Sequence, residues 1–192
     1  RGHAEAVKAL IKAGAVIDPK AKARVADDAP DDGSTPLLVA SQEGHVETVD
    51  ELLAAGASVD QAREDGVTAL MAACLNGHRD VAGRLLDRGA AVGQASHTGR
   101  TALMWACQNG HRTVVELLLD RGAAVGRAKA DGVTALMWAC LNGHRDVAEL
   151  LLNRGADVGQ AARDGWTPLM LACGDGHRDV AELLLDRGTD TA

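Results

Sequence analysis

The chain contains no phenylalanine and no tyrosine, and three tryptophans make up its whole aromatic content, 2% of 192 residues. A compact domain of this length ordinarily fills its centre with large rings, so their absence implies a thin, layered packing of Ala, Leu and Val. An excess of basic residues is missing too. With 20 Lys and Arg against 27 Asp and Glu, the formal net charge is −7, which argues against a sequence-independent grip on a phosphate backbone and so against a nucleic-acid partner. Long apolar runs are also absent. The longest, 69–75 and 135–141, fall well short of the roughly 18 residues needed to cross a bilayer, and no membrane span is expected. Disorder is excluded by a hydrophobic content of 46%. The first residue is Arg1 rather than Met, from which we expect a piece of a longer natural chain, with any targeting segment outside it.

What the chain does contain is periodic. Its cysteines stand at Cys74, Cys107, Cys140 and Cys173 and its methionines at Met71, Met104, Met137 and Met170, and each series steps by 33 residues. The same step relates Gly33, Gly66, Gly99, Gly132 and Gly165, and likewise Thr35, Thr68, Thr101, Thr134 and Thr167. It also relates His45, His78, His111, His144 and His177. A fixed period in this range is the signature of a solenoid whose units bury their apolar faces against one another.

Within one unit the pattern predicts helix, turn, helix and loop. Over 101–109, Leu103, Met104, Ala106 and Cys107 fall on one helical face, which is core, while Trp105, Gln108 and Asn109 share the other. Gly110 supplies a left-handed stop, and His111 opens a second helix with an apolar stripe of Val114, Leu117 and Leu118, closed by Gly122. The stretch from Ala123 to Gly132 reads as a β-turn or hairpin finger.

Thr-Pro-Leu at Thr35 and Thr167, Thr-Ala-Leu in the three units between, Gly-His before every second helix, and Leu-Leu-Leu followed by Gly-Ala together resemble the ankyrin repeat. The resemblance covers nearly the whole chain. It implies an all-α, ankyrin-type α-solenoid of helix-turn-helix units joined by β-turn or hairpin fingers. On that basis 1–192 forms one repeat domain: a truncated unit at 1–20, a finger insertion at 21–29, and units at 30–62, 63–95, 96–128, 129–161 and 162–192.

Two departures from the family pattern stand out. Where the family has His after Thr-Pro-Leu, this chain has Leu38, Met71, Met104, Met137 and Met170, so apolar packing is expected in place of a buried Thr–His hydrogen bond. Where the family has Asn in the finger, this chain has Asp60, Gly93, Gly126 and Gly159, which removes the asparagine that hydroxylases modify in similar proteins.

Cys-x-x-x-His recurs four times, from Cys74/His78 to Cys173/His177, and invites a zinc reading. A structural zinc needs four converging ligands, whereas each unit supplies two and neighbouring helices pack roughly 10 Å apart. That spacing is also too wide for a disulfide. The expectation is therefore no metal and no cofactor, with cysteines in the core. A catalytic Cys/His pair needs a single site with its own orienting group, not a repeated framework element. No phosphate-binding Gly-Lys-Ser/Thr, GxGxxG or Gly-x-Ser-x-Gly sequence is present, so no enzymatic activity is expected. Unpaired thiols point to an intracellular, reducing compartment, cytoplasmic or nuclear.

Specificity should lie where units differ. The resemblance places those positions on the fingers and the outer side of the first helices, which together form a concave groove. The partner-binding candidates are Glu64, Asp65, His97, Arg100, Asp131, Asp164 and Trp166 on fingers, and Trp105, Gln108, Trp138, Leu141 and Asn142 on helices. Acids including Asp27, Asp28, Asp31, Asp32, Glu64 and Asp65 make the N-terminal end acidic, suited to a basic partner or simply to a solvated tip. The three tryptophans are candidates for one patch. The alternative for Trp105 and Trp138 is a ring that only fills space between helix and finger, and Trp166, which replaces Ser34, Val67, Arg100 and Val133, is the stronger anchor. The expected function is a monomeric, non-catalytic protein-protein interaction module. A regulatory or targeting segment of a larger protein, such as an enzyme or channel, and a structural spacer are the alternatives.

Overall fold

Each repeat starts its first helix at a threonine in extended backbone. The hydroxyl oxygens of Thr35, Thr68, Thr101, Thr134 and Thr167 accept the backbone N–H three residues on, at 3.1–3.4 Å, which satisfies one of the donors a helix start leaves open. The computed structural model describes residues 32–189. The expected truncated unit at 1–20, the insertion at 21–29 and the acids Asp27, Asp28 and Asp31 lie outside the described residues. First helices are seven residues long: α1 (Pro36–Gln42), α3 (Ala69–Leu75), α5 (Ala102–Gln108), α7 (Ala135–Leu141) and α9 (Pro168–Gly174). Second helices are α2 (Val46–Ala54), α4 (Arg79–Asp87), α6 (Arg112–Asp120), α8 (Arg145–Asn153) and α10 (Arg178–Thr189).

Helices of two or three turns are marginal alone, so packing must hold them. Each first helix packs on its own second helix and on the first helices of adjoining units, and second helices pack likewise, which makes two parallel layers. Buried positions recur with the period: Leu103, Met104, Ala106 and Cys107 in α5, and Val114, Val115 and Leu118 in α6, are all 3% exposed or less. Leu117, expected in the stripe, is only partly buried, and Val115 takes the core place. At the last described unit Met170 is 53% exposed, whereas its counterpart Met137 is fully buried, because no further unit stacks there among the described residues.

Histidine explains the Gly-His signal. The rings of His78, His111, His144 and His177 donate Nε2–H to the carbonyls of Gln42, Leu75, Gln108 and Leu141, at 2.9–3.0 Å. Those carbonyls lie at the C-terminal ends of the preceding first helices, where intrahelical donors have run out. The residue before each turn must leave room: Gly110 has φ 70°, and a Cβ there would stand 2.5 Å from Nδ1 of His144. Surface ion pairs also step from unit to unit, such as Arg121–Asp87 and Arg154–Asp120, both at 2.9 Å.

Of the two finger forms the sequence allowed, β-turn or hairpin, the structure shows turns: among the described residues only isolated bridges, Ala95 with Thr101 and Ala128 with Thr134, join their limbs. In one unit the methionine that replaces the family histidine does more than pack. Thr134 N–H donates to Met137 Sδ at 3.4 Å, so the sulfur closes a weak capping box from the same position.

Candidate functional site

The units differ most usefully in their fingers. In the second and fourth described units the finger holds a cation and an acid two residues apart. Arg63 Nη2 donates to Asp65 at 2.5 Å, and Lys129 Nζ to Asp131 at 2.8 Å. Each aspartate also accepts the N–H of the following valine, Val67 or Val133, at 3.1 Å. These bonds hold both carboxyls below the usual carboxylate range, with the side-chain bond from the cation the largest cause.

The third finger is built differently. Ser96 and Thr98 stand in place of the cation and the acid, with their hydroxyl oxygens 2.9 Å apart. The cation has moved to Arg100, where the neighbouring units have Val67 and Val133. Its guanidinium lies between the rings of Trp105 and Trp138, 3.8 and 3.9 Å from their centroids. First helices of adjacent units sit at helix-packing distance, which is the gap a planar guanidinium fills between two rings. Stacking of this kind contributes about 1–2 kcal/mol per ring when partly desolvated. Arg100 also donates to Gln108 Oε1 at 2.5 Å. Burial lowers its pKa from the ordinary guanidinium value, yet arginine remains charged at any physiological pH. Neither indole N–H has an acceptor among the described residues, although both are buried.

Beside the sandwich opens a cleft of about 440 Å³. Leu38 and Gln42 of α1, Met71, Ala72 and Leu75 of α3, and the rings of α5 and α7 form its floor, and the fingers supply Arg63, Asp65, Val67, Ser96, Thr98, Arg100 and Lys129. Ala72, one of the lining residues, holds the position that Trp105 and Trp138 occupy in the next units, so the ring pair ends at that layer.

Of the sequence candidates, Asp65, Arg100, Trp105 and Trp138 line this cleft, and Gln108 joins them through its bond to Arg100. Asp131 is linked through Lys129, whose Nζ stands 6.0 Å from the Trp138 ring. Glu64, His97, Leu141, Asn142, Asp164 and Trp166 are not among the lining residues. Glu64 and His97 donate backbone N–H to the preceding fingers, Leu141 accepts from His177, and Asn142 donates to the Trp138 carbonyl at the helix end. Asp164 accepts the Trp166 N–H, and the Trp166 ring, 46% exposed, covers the position of Gly174. The expected three-tryptophan patch is thus a pair joined by arginine, with Trp166 apart.

The remaining lining residues, among them Leu38, Arg63, Met71, Ala72, Ser96 and Lys129, were not sequence candidates. The signal for three of them was available, since Arg63, Ser96 and Lys129 share one place in the repeat and differ. The cleft is also less acidic than the finger tips implied: three cations line it against the carboxylate of Asp65, and Asp32 lies 3.8 Å from Arg63.

Three of the four repeated cysteines, Cys74, Cys107 and Cys140, are buried free thiols whose pKa burial pushes upward, Cys140 to about 12, which disfavours the thiolate there, whereas Cys173 is exposed. No described helix is long and apolar enough to cross a membrane. A family model described as ankyrin repeats (3 copies) matches residues 1–96, 50–128, 89–162 and 124–192. A search of the curated proteins returned no match.

Proposed function

The chain belongs to the ankyrin repeat family, and from that premise we propose that it binds a segment of a partner protein in the groove between fingers and first helices, without chemistry of its own. Ankyrin repeats are in general protein–protein interaction modules and are typically non-catalytic. The observation that carries the reading is the cleft over Leu38, Ala72 and Leu75, walled by the Trp105–Arg100–Trp138 sandwich. Recognition energy concentrates in tryptophan and arginine held in partly desolvated pockets, and this chain gathers two of its three tryptophans around one arginine. Thiols whose pKa values are raised by burial suit an intracellular placement in which they stay reduced and inert.

Site-specific photo-cross-linking tests the proposal. A photoreactive residue replacing Leu75, in the cleft, should capture a discrete protein in the cells that make the chain, and the same residue replacing exposed Glu116 on α6 should not. Capture at Glu116 and none at Leu75 would move the interaction to the second-helix layer and refute the groove.

A further inference from the structure

We propose that the cleft selects an acidic peptide segment, with a partner carboxylate on the outer edge of the Arg100 guanidinium and a neighbouring apolar side chain over Met71, Ala72 and Leu75. This rests on the groove-binding reading above and adds the chemistry of the occupant.

The counter-ion pattern carries it. Among the cations lining the cleft, Arg63 is paired with Asp65 and Lys129 with Asp131. Arg100 has no carboxylate partner among the described residues. Its contacts are two ring faces and the neutral oxygen of Gln108. The aspartate that would stand two residues before it, as Asp65 and Asp131 do in the neighbouring fingers, is Thr98. One finger has therefore shifted its cation four residues along, to Arg100, and lost the acid that its neighbours carry.

Geometry then says what fits. A guanidinium has five N–H donors in one plane. Rings on both faces leave only the edge for polar contacts, and Gln108 takes one donor. A carboxylate matches the remaining edge in plane, and such charge-assisted pairs are the stronger hydrogen bonds. Lys129, 6.0 Å from the Trp138 ring, already holds Asp131, so Arg100 is left as the cation of the cleft with no carboxylate of its own among the described residues. The overall charge of −7 opposes an acidic partner at long range, but that field is screened within about 8 Å at physiological ionic strength, so the local cation decides. The apolar floor next to it requires an uncharged side chain within a residue or two of the acid.

Peptide display on the whole chain supplies the probe. Random dodecapeptides are selected, and the consensus peptide is titrated beside a twin with its acidic residues changed to amides and a twin with them changed to lysine. Titrations are followed by the indole N–H signals of Trp105 and Trp138. The consensus should carry Asp or Glu, move both signals, and bind about tenfold or more tighter than the amide twin. Arg100→Val should abolish that difference, and Thr98→Asp should weaken the acidic peptide about fivefold or more by supplying an internal counter-ion. Both substitutions install residues that adjoining units already carry at those positions, and circular dichroism verifies the fold. Peptides that move both signals without preferring acid, or that prefer lysine, overturn the charge assignment and leave groove binding standing. So does an acidic preference that survives Arg100→Val. A selection that yields no peptide moving either signal overturns both readings.

Discussion

Replacing Gly110 with alanine tests the inter-unit staple at its tightest point. Gly110 has φ 70°, a region in which a side chain costs about 1–2 kcal/mol. The new Cβ would also stand 2.5 Å from Nδ1 and 2.7 Å from Cε1 of His144, so the imidazole must move. It then releases the Gln108 carbonyl, to which it donates at 2.9 Å. Leaving that helix-end carbonyl without a donor costs a further ~1–3 kcal/mol. The expected total for Gly110→Ala is about 2–5 kcal/mol, from the sum of these two ranges.

The two parts separate in a double-mutant cycle. His144→Ala already lacks the ring and its bond, so in that background Gly110→Ala should cost only the backbone term. Urea unfolding of the four proteins, followed by circular dichroism, should therefore give costs that fall short of additivity by about 1–3 kcal/mol. Strict additivity would mean that the glycine answers only to its own backbone angle. The claim that Gly-His recurs because one unit's glycine makes room for the next unit's ring would then be wrong.

Thiol chemistry gives a second test: at pH 8 a disulfide reagent should modify exposed Cys173 quickly, and Cys74, Cys107 and Cys140, buried with raised pKa values, only on unfolding. Two or more fast thiols, counted by mass spectrometry, would contradict the packing. Chelation should leave the melting temperature unchanged, because among the described residues no three His, Cys, Asp or Glu side chains converge as a metal site would require; stoichiometric zinc in protein prepared without added metal would overturn this. Asp65 and Asp131 have folded-state pKa values below the unfolded value near 3.9, so their contribution is present above about pH 4 and is lost as pH falls through the lowered values. Urea midpoints between pH 5 and pH 2 should accordingly fall less for Asp65→Asn than for the parent, and parallel curves would sink the assignment.

Some residues could be read from sequence because their roles depend only on the period. Thr101 as cap, Cys107 and Met104 as core and Gly110 as the turn each answer to neighbours at fixed offsets, and the structure holds them as read. Arg100 was legible as variable but not as a sandwiched cation. Its partners, Trp105 and Trp138, lie on two different helices, and only three-dimensional packing shows that the finger dips between them. Ala72 was passed over for the opposite reason: a small apolar residue offers no chemistry to read. Trp166 was legible as an exposed ring, but its distance from the pair was not: it lies over Gly174 and is not among the residues that line the cleft.

On the proposed reading, the third finger is also the one whose stability and recognition would depend on the same side chain. In its neighbours, Arg63–Asp65 and Lys129–Asp131 tie each finger to itself. Without that pair, the third finger is anchored through Ser96, Thr98 and the stacked Arg100. A long flexible side chain normally loses about 0.5–1.5 kcal/mol of rotamer freedom when a ligand immobilises it. Two rings and Gln108 have already fixed this one in the free protein, so a ligand approaching its edge meets an ordered donor set. A ligand that drew Arg100 out from between the rings would instead forfeit both stacking contacts and unfasten the finger. The fold thus favours partners that accept hydrogen bonds from the guanidinium where it stands over those that would displace it.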